Sequence, residues 1–196
     1  MRSLLLAGGR SSRMGADKAM IEVDGKSMIC RVVNSLSGAG LEPIRIAVAR
    51  PSDVEKYGST FDSVLEIEWV LDGSTHSGPI DALEEALHDP RLGAYSTLQL
   101  APVDSPWVTE ELFYSLQEGL DEADSLIMPH DGERAHPLLA LIRPELVLKM
   151  IEGDRRPLHV QFSETQHSIL VEDPLILRNL NTHEDLERNP SRTKKF

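Results

Sequence analysis

Short apolar runs alternate with stretches of helical spacing along this chain. Leu4-Leu5-Leu6 is a continuous apolar run that stops at Ala7-Gly8-Gly9, the pattern of a strand buried on both faces. Ile21-Glu22-Val23 alternates and meets the turn signal Asp24-Gly25-Lys26. Met28, Val32, Val33 and Leu36 then fall at helical spacing, and Gly38 and Gly40 end the run. Ile44 to Ala49 predicts a strand stopped by Pro51, and Ile67 to Leu71 predicts another that delivers Asp72 and Gly73 to a loop. From Gly78-Pro79 a helix is predicted through Ile80, Leu83, Ala86 and Leu87, with Pro79 in the first turn, where a missing N–H costs nothing. Tyr95 to Ala101 predicts a strand whose end carries Asp104.

In the second half, Thr109 caps a predicted helix of Leu112, Phe113, Leu116 and Leu120, followed by a strand over Asp124 to Met128. Ala135 to Ile142 is expected to be extended, Pro144 to Ile151 helical, and Val171 and Ile176 to Leu180 late strands. Thr182 caps a last helix over Glu184 to Arg188. Strands alternating with helices imply an α/β protein, a mostly parallel sheet with helices on both faces. Ligands of such sheets sit beyond the carboxyl ends of the strands, where the opening loop, Asp72 and Asp104 all fall.

The loop after the first strand adds chemistry to this frame. Gly8, Gly9 and Gly15 let the backbone approach an anion with its N–H groups converging, and Arg13 and Lys18 supply charge for a polyphosphate. The loop lacks the closing Gly-Lys-Ser/Thr of a Walker A sequence and the Gly-x-Gly-x-x-Gly of a dinucleotide fingerprint. Arg2, Arg10, Arg13 and Lys18 face a single nearby acid, Asp17, in a chain whose net charge is -12, which strengthens the expectation of an anion site. The acidic balance argues against a nucleic-acid partner. With 196 residues and no evident linker, residues 1–188 are expected to form one domain, and 189–196, with Arg192, Lys194 and Lys195, a basic disordered tail. Cys30 stands alone, so neither an intramolecular disulfide nor a cysteine metal site is expected. The opening apolar run is too short for a signal peptide and no run spans a bilayer, so the expected location is cytoplasmic, away from any membrane.

Asp104, in Pro102-Val103-Asp104-Ser105-Pro106, is placed to bind magnesium, which takes one or two carboxylates together with substrate phosphates; a capping role is the alternative. Asp72 could accept from the N1–H and exocyclic amine of a guanine, or cap its loop. His130 and His136 have neither a nucleophile elbow nor metal-ligand spacing beside them, which leaves a structural or substrate-contacting role. Asp154-Arg155-Arg156 is a second basic cluster, suited to a second anion or to a solvated turn. Asn179 and Asn181 fall on one face if their segment is a strand, where they could orient a phosphate or satisfy backbone groups.

Taken together, these motifs resemble the molybdenum cofactor guanylyltransferases, the MobA type of nucleotidyltransferase. The resemblance rests on Leu6-Ala7-Gly8-Gly9, Arg13-Met14-Gly15, Asp17-Lys18, Gly78-Pro79-Ile80, Asp104-Ser105-Pro106, His130 to Arg134 with His136-Pro137, and Asn179-Leu180-Asn181-Thr182-His183-Glu184-Asp185-Leu186. It implies a Rossmann-like three-layer nucleotidyltransferase fold that transfers GMP from GTP to molybdopterin with Mg²⁺ and releases pyrophosphate. By position it implies nucleotide contacts from Leu6, Ala7, Gly8, Gly9, Lys18, Asp72, Gly78 and Asp104, and catalytic roles for Arg13, Lys18 and Asp104, with the metal on Asp104. Asn179 and Asn181 would lie near the second substrate, and transient contacts with other molybdenum cofactor proteins are implied. The chain departs from the family pattern at Asp81, Ala47 and Ser27, where a small residue, an asparagine and a proline are common. A cytidylyltransferase acting on molybdopterin or another phosphorylated small molecule is one alternative, and a non-catalytic nucleotide-binding module is the other.

Overall fold

The computed structural model describes residues 2–7, 17–61, 64–71, 78–93 and 95–187. Gly8, Gly9, Arg13, Asp72 and the basic tail lie outside the described residues. The chain opens with β1 (Arg2–Leu6), a short hairpin of β2 (Glu22–Val23) and β3 (Lys26–Ser27), α1 (Met28–Gly38), β4 (Ile44–Val48), α2 (Pro51–Gly58) and β5 (Ile67–Leu71). Next come α3 (Pro79–Leu87), α4 (Pro90–Gly93), β6 (Leu98–Pro102) and α5 (Glu110–Gly119). It continues through β7 (Leu126–His130), β8 (Leu141–Ile142), α6 (Pro144–Ile151), α7 (Leu158–Ser163), β9 (His167–Val171) and α8 (His183–Glu187).

Among the described residues, seven strands form one sheet in the order β5-β4-β1-β6-β8-β7-β9. β5, β4, β1 and β6 pair in parallel, as do β7 and β9, while β8 runs antiparallel to both neighbours. β1 lies inside the parallel part and all its residues are buried. Because side chains alternate along a strand, Leu5 joins one core and Leu4 and Leu6 the other. The first core packs Leu5, Ile44 and Ile46 against Val32 and Leu36 of α1, Tyr57 of α2 and Phe113 of α5. The second packs Leu4, Leu98 and Leu100 against Leu83 of α3, Leu92 of α4, Val147 of α6 and Phe162 of α7. The result is the three-layer, mostly parallel α/β architecture that the alternation of elements implies.

Several boundaries differ from expectation for identifiable reasons. Pro51 does not merely stop a strand; it occupies the first turn of α2, where its fixed φ suits a helix. The apolar stretch from Ala135 is broken by a 3-10 turn at Pro137–Leu139, so only Leu141–Ile142 enters the sheet. Ile176 to Leu180 is not a strand. Asp173 begins a turn there, its side chain accepting from Leu175 N at 2.8 Å and its carbonyl from Ile176 N at 3.0 Å. The apolar residues that suggested a strand are instead anchors into different clusters, Leu177 in the first core and Leu180 in a small one with Val23 and Met28.

Arg2 also departs from its expected place. It stands at the start of β1, the opposite end from the glycine loop, so it does not contribute to an anion site there. It is buried and ion-paired with Glu68, which also accepts from buried Arg45 at 3.1 and 3.3 Å; Arg45 reaches Asp89 at 2.8 Å. One carboxylate thus serves two buried guanidiniums. Glu68→Ala is expected to lower the unfolding free energy by about 3 kcal/mol, because Arg2 is left buried without a carboxylate while Arg45 keeps only Asp89. Urea unfolding measures it, and a loss below about 1 kcal/mol would mean that other groups already satisfy the guanidiniums.

Candidate active site

Three segments distant in sequence meet beyond the carboxyl ends of β1 and β6. The two strands are in register, Leu6 opposite Pro102, and Val103 N donates to Leu6 O at 3.2 Å. On the other side Ala7 N donates to Ala47 O at 3.0 Å. Leu6 and Ala7 therefore stand where the glycine loop departs, but the Ala7 N–H is already used, so any ligand contact of Ala7 runs through other atoms. The chain returns at Asp17, whose carboxylate accepts from Ala19 N at 3.2 Å and so caps the 3-10 turn Lys18–Met20. From this turn the Lys18 ammonium reaches Asp104 Oδ2 at 3.1 Å and Asn181 Oδ1 at 2.7 Å.

Asp104 and the asparagines are stitched together by their own neighbours. Leu180 N donates to Asp104 O at 2.8 Å, and Ser105 Oγ donates to Asn179 Oδ1 at 3.0 Å. Arg31 of α1 supports the loop from below by donating Nε to Pro106 O at 2.7 Å. Beyond Asn181 the chain enters α8 through a reciprocal cap: Thr182 Oγ1 accepts from Asp185 N at 3.3 Å, and Asp185 Oδ2 accepts from Thr182 N and Asn181 N at 2.9 Å each. Burial opposes the charge of Asp185, but the hydrogen bonds from Asn181 and Thr182 prevail and hold its carboxyl below the usual range. Because Asn181 is held at its backbone by this cap, its side chain is presented to Lys18 from a fixed base. Without a strand the one-face expectation for Asn179 and Asn181 falls: Asn179 Oδ1 accepts from Ser105 and Asn181 Oδ1 from Lys18, with buried Leu180 between them.

Sequence reasoning missed the surroundings of Asp17. Its carboxylate accepts from Tyr57 Oη at 3.0 Å on each oxygen and from Lys56 Nζ at 2.6 Å. Both donors come from α2, the helix that Pro51 concealed, so no sequence signal linked them to the site.

The remaining candidates are arranged differently from Lys18 and Asp104. Gly78 is the N-cap of α3 with an ordinary φ of -69°, and no described atom beyond its own residue and its chain neighbours lies within 4 Å of the point a Cβ would occupy. Asp81, in the first turn of that helix, pairs with Arg155 at 3.2 Å, and Glu84 takes the same guanidinium at 2.7 Å. Arg156 is held by Asp154 at 2.7 Å and Glu164 at 2.8 Å. Both arginines of the second basic cluster are thus matched by carboxylates of the chain. Ala47 is buried beside α3 in the second core, and Ser27 is the N-cap of α1, accepting from Cys30 N at 3.4 Å.

Among the described residues no group of three or more His, Cys, Asp or Glu is arranged to hold a metal ion. Asp104 still fits one kind of divalent ion. Its carboxylate is a quarter exposed at a strand end, and magnesium needs only one or two protein carboxylates when phosphates and water complete its shell. No helix among the described residues is long and apolar enough to cross a membrane.

Residues 3–165 match the family model described as the MobA-like NTP transferase domain. A molybdenum cofactor guanylyltransferase of Histophilus somni is 30% identical over 199 residues, covering 95% of this chain and 94% of that protein. The solved structure of molybdopterin-guanine dinucleotide biosynthesis protein A from Archaeoglobus fulgidus superposes with a TM-score of 0.71 at 21% identity, covering 100% of both chains. A nucleotidyl transferase from Methanothermobacter thermautotroptrophicus does so with a TM-score of 0.78 at 18% identity, covering 97% and 96%. Fold and family model together define an α/β nucleotidyltransferase, a class that works with a divalent metal. More particularly, the chain belongs to the MobA-like NTP transferase family, that of the molybdenum cofactor guanylyltransferases.

At the end of β7 the segment His130 to His136 closes on itself around Asp131. That carboxylate accepts from Glu133 N at 2.9 Å and Arg134 N at 2.8 Å, and lies 2.9 Å from Nε2 of buried His136. Burial opposes its charge, yet these hydrogen bonds hold its carboxyl well below the usual range. A carboxyl depressed in the folded state adds stability above its unfolded pKa of about 4, and that stability is lost as pH falls toward the folded value. Urea unfolding between about pH 5 and pH 2 is therefore expected to show a shallower loss of stability for Asp131→Asn than for the parent chain. Equal slopes would remove Asp131 from the acid sensitivity.

Proposed function

We propose that this chain transfers GMP from GTP to the terminal phosphate of molybdopterin, forming the guanine dinucleotide cofactor and releasing pyrophosphate. The observation that carries the reading is the Lys18 ammonium between Asp104 and Asn181, which joins the opening loop, the strand-end carboxylate and the closing asparagines at one place. The Histophilus somni relative, matched along nearly its whole length, supports the choice of substrates.

In this reaction a phosphate oxygen of molybdopterin attacks the α-phosphorus of GTP, and the bond to the departing pyrophosphate breaks. The attacking oxygen is already ionised, so the chain needs neither a nucleophile nor a strong base. Its task is positioning and offsetting charge as two anions approach. Lys18, with Arg13 on the same loop, neutralises the triphosphate, while Gly8 and Gly9 give the backbone room to approach it. Leu6, Ala7 and Gly78 border the nucleotide, and Asp72 accepts from the guanine edge. Asp104 holds Mg²⁺, which when bound offsets the negative charge of the phosphates. Asn179 and Asn181 face the second substrate. Residues 1–188 act as one unit in the cytoplasm, with both substrates reaching it as small phosphorylated molecules, the second through transient contacts with other molybdenum cofactor proteins.

Lys18→Ala and Asp104→Ala are each expected to lower turnover more than about tenfold, the scale for losing one electrostatic group of a phosphoryl site, with an unchanged circular dichroism spectrum. Pyrophosphate release is measured with magnesium, molybdenum-loaded molybdopterin and each common nucleoside triphosphate in turn. Release with GTP alone is the expected result. Release with CTP alone would change the nucleotide, and normal turnover of either variant would overturn the residue assignment.

A further inference from the structure

Lys18 leaves the main chain one residue after Asp17, so whatever fixes Asp17 also fixes the base from which Lys18 reaches. Tyr57 is the more rigid of the two groups that α2 brings to that carboxylate. It is 3% exposed, and its ring belongs to the first core among the side chains of α1 and α5. A ring held by packing has one place for its hydroxyl, and that place is 3.0 Å from both oxygens of Asp17. Burial, reinforced by the Asp17 carboxylate, pushes the phenol far above its ordinary range, so it remains a donor at every working pH.

A carboxylate next in sequence to Lys18 is a natural partner for its ammonium, and such a pairing would draw Lys18 from Asp104. An ionised carboxylate has about four acceptor positions. Ala19 N donates to Oδ1 and Lys56 Nζ to Oδ2, and the single Tyr57 hydroxyl hydrogen lies between the two oxygens, so three donors already engage Asp17 and both of its oxygens are in use. The same contacts that anchor the turn therefore turn Asp17 away from its neighbour.

We propose that Tyr57 is a positioning residue for nucleotidyl transfer: acting through Asp17, it sets the turn that aims the Lys18 ammonium at Asp104 and Asn181. This rests on the reading of Lys18 as the cation of the triphosphate site. Tyr57 touches no substrate and removes no proton. Its contribution is to keep Lys18 from relaxing onto Asp17, and small displacements of a charged group at a reacting phosphate are costly.

The test is a double-mutant cycle on steady-state pyrophosphate release with GTP, magnesium and molybdenum-loaded molybdopterin, using the parent chain, Tyr57→Phe, Lys18→Ala and the double variant. Tyr57→Phe keeps the buried ring, so its melting temperature should stay within a few degrees of the parent while kcat/KM falls about tenfold. In the Lys18→Ala background the same change should alter kcat/KM less than about twofold, because the effect has no route other than Lys18. Asp17→Ala, which removes the carboxylate through which Tyr57 anchors the turn, should show a comparable loss and the same lack of additivity with Lys18→Ala, and it replaces Tyr57→Phe if that variant does not fold. Losses that multiply in the double variant, or a Tyr57→Phe enzyme of parental activity, would overturn the proposal. A Lys18→Ala enzyme of parental activity would instead overturn the assignment of Lys18 itself, so the two failures are distinguishable.

Discussion

One ammonium group ties this structure together. Lys18 lies 86 residues from Asp104 and 163 from Asn181 in sequence, and hydrogen bonds to both. Each partner is fixed by backbone contacts of its own: Asp104 by the carbonyl that accepts from Leu180 N, Asn181 by the cap of α8. A flexible lysine loses much rotamer freedom when it is held, so its position depends on how firmly its partners and its own turn are built. That is why the parallel sheet, the hairpin cluster around Leu180 and the α2 contacts to Asp17 all bear on one small region. The sheet brings the ends of β1 and β6 side by side.

The distribution of charge is the second organising feature. Three of the arginines weighed as anion ligands are already neutralised within the chain: Arg2 by Glu68, Arg155 by Asp81 and Glu84, and Arg156 by Asp154 and Glu164. This follows from a net charge of -12, since an acidic chain has carboxylates to spare for its cations. A cation that is to meet a phosphate must then have its competitors occupied elsewhere. Asp17 illustrates the device, its acceptors filled from α2 while Lys18 turns toward the strand ends.

Much of the fold was legible because burial on a sheet leaves a pattern. Leu4-Leu5-Leu6, Ile44 to Ala49 and Ile67 to Leu71 read as strands and lie in strands, the second ending one residue early at Val48, and Thr109 and Ser27 sit at N-caps, though only the first was read as one. Errors arose where apolar residues serve loops. Leu177 and Leu180 are buried without a ladder, and Pro137 turns an apolar stretch into a 3-10 corner. Pro51 was ambiguous for a different reason: the same fixed φ that ends a strand also starts a helix. Lys18 and Asp104, singled out by residue type and sequence context, do meet in space, whereas Tyr57, whose hydroxyl reaches Asp17, reads in the sequence as an ordinary core residue.

The sequence by itself determined the class of the molecule and the identity of its chemical groups. Local spacing dictates strands, helices and caps, and a glycine loop with basic residues after a buried strand is chemistry carried by neighbouring residues. Only the tertiary structure decided which of those groups meet. Pairing Lys18 with Asp104 and Asn181, giving Arg2 to Glu68 instead of the loop, and joining Tyr57 to Asp17 all depend on strand order and helix placement. Hydrogen bonds and ion pairs act over a few ångströms in space, and no spacing along the chain encodes which distant segments the sheet will set that close together.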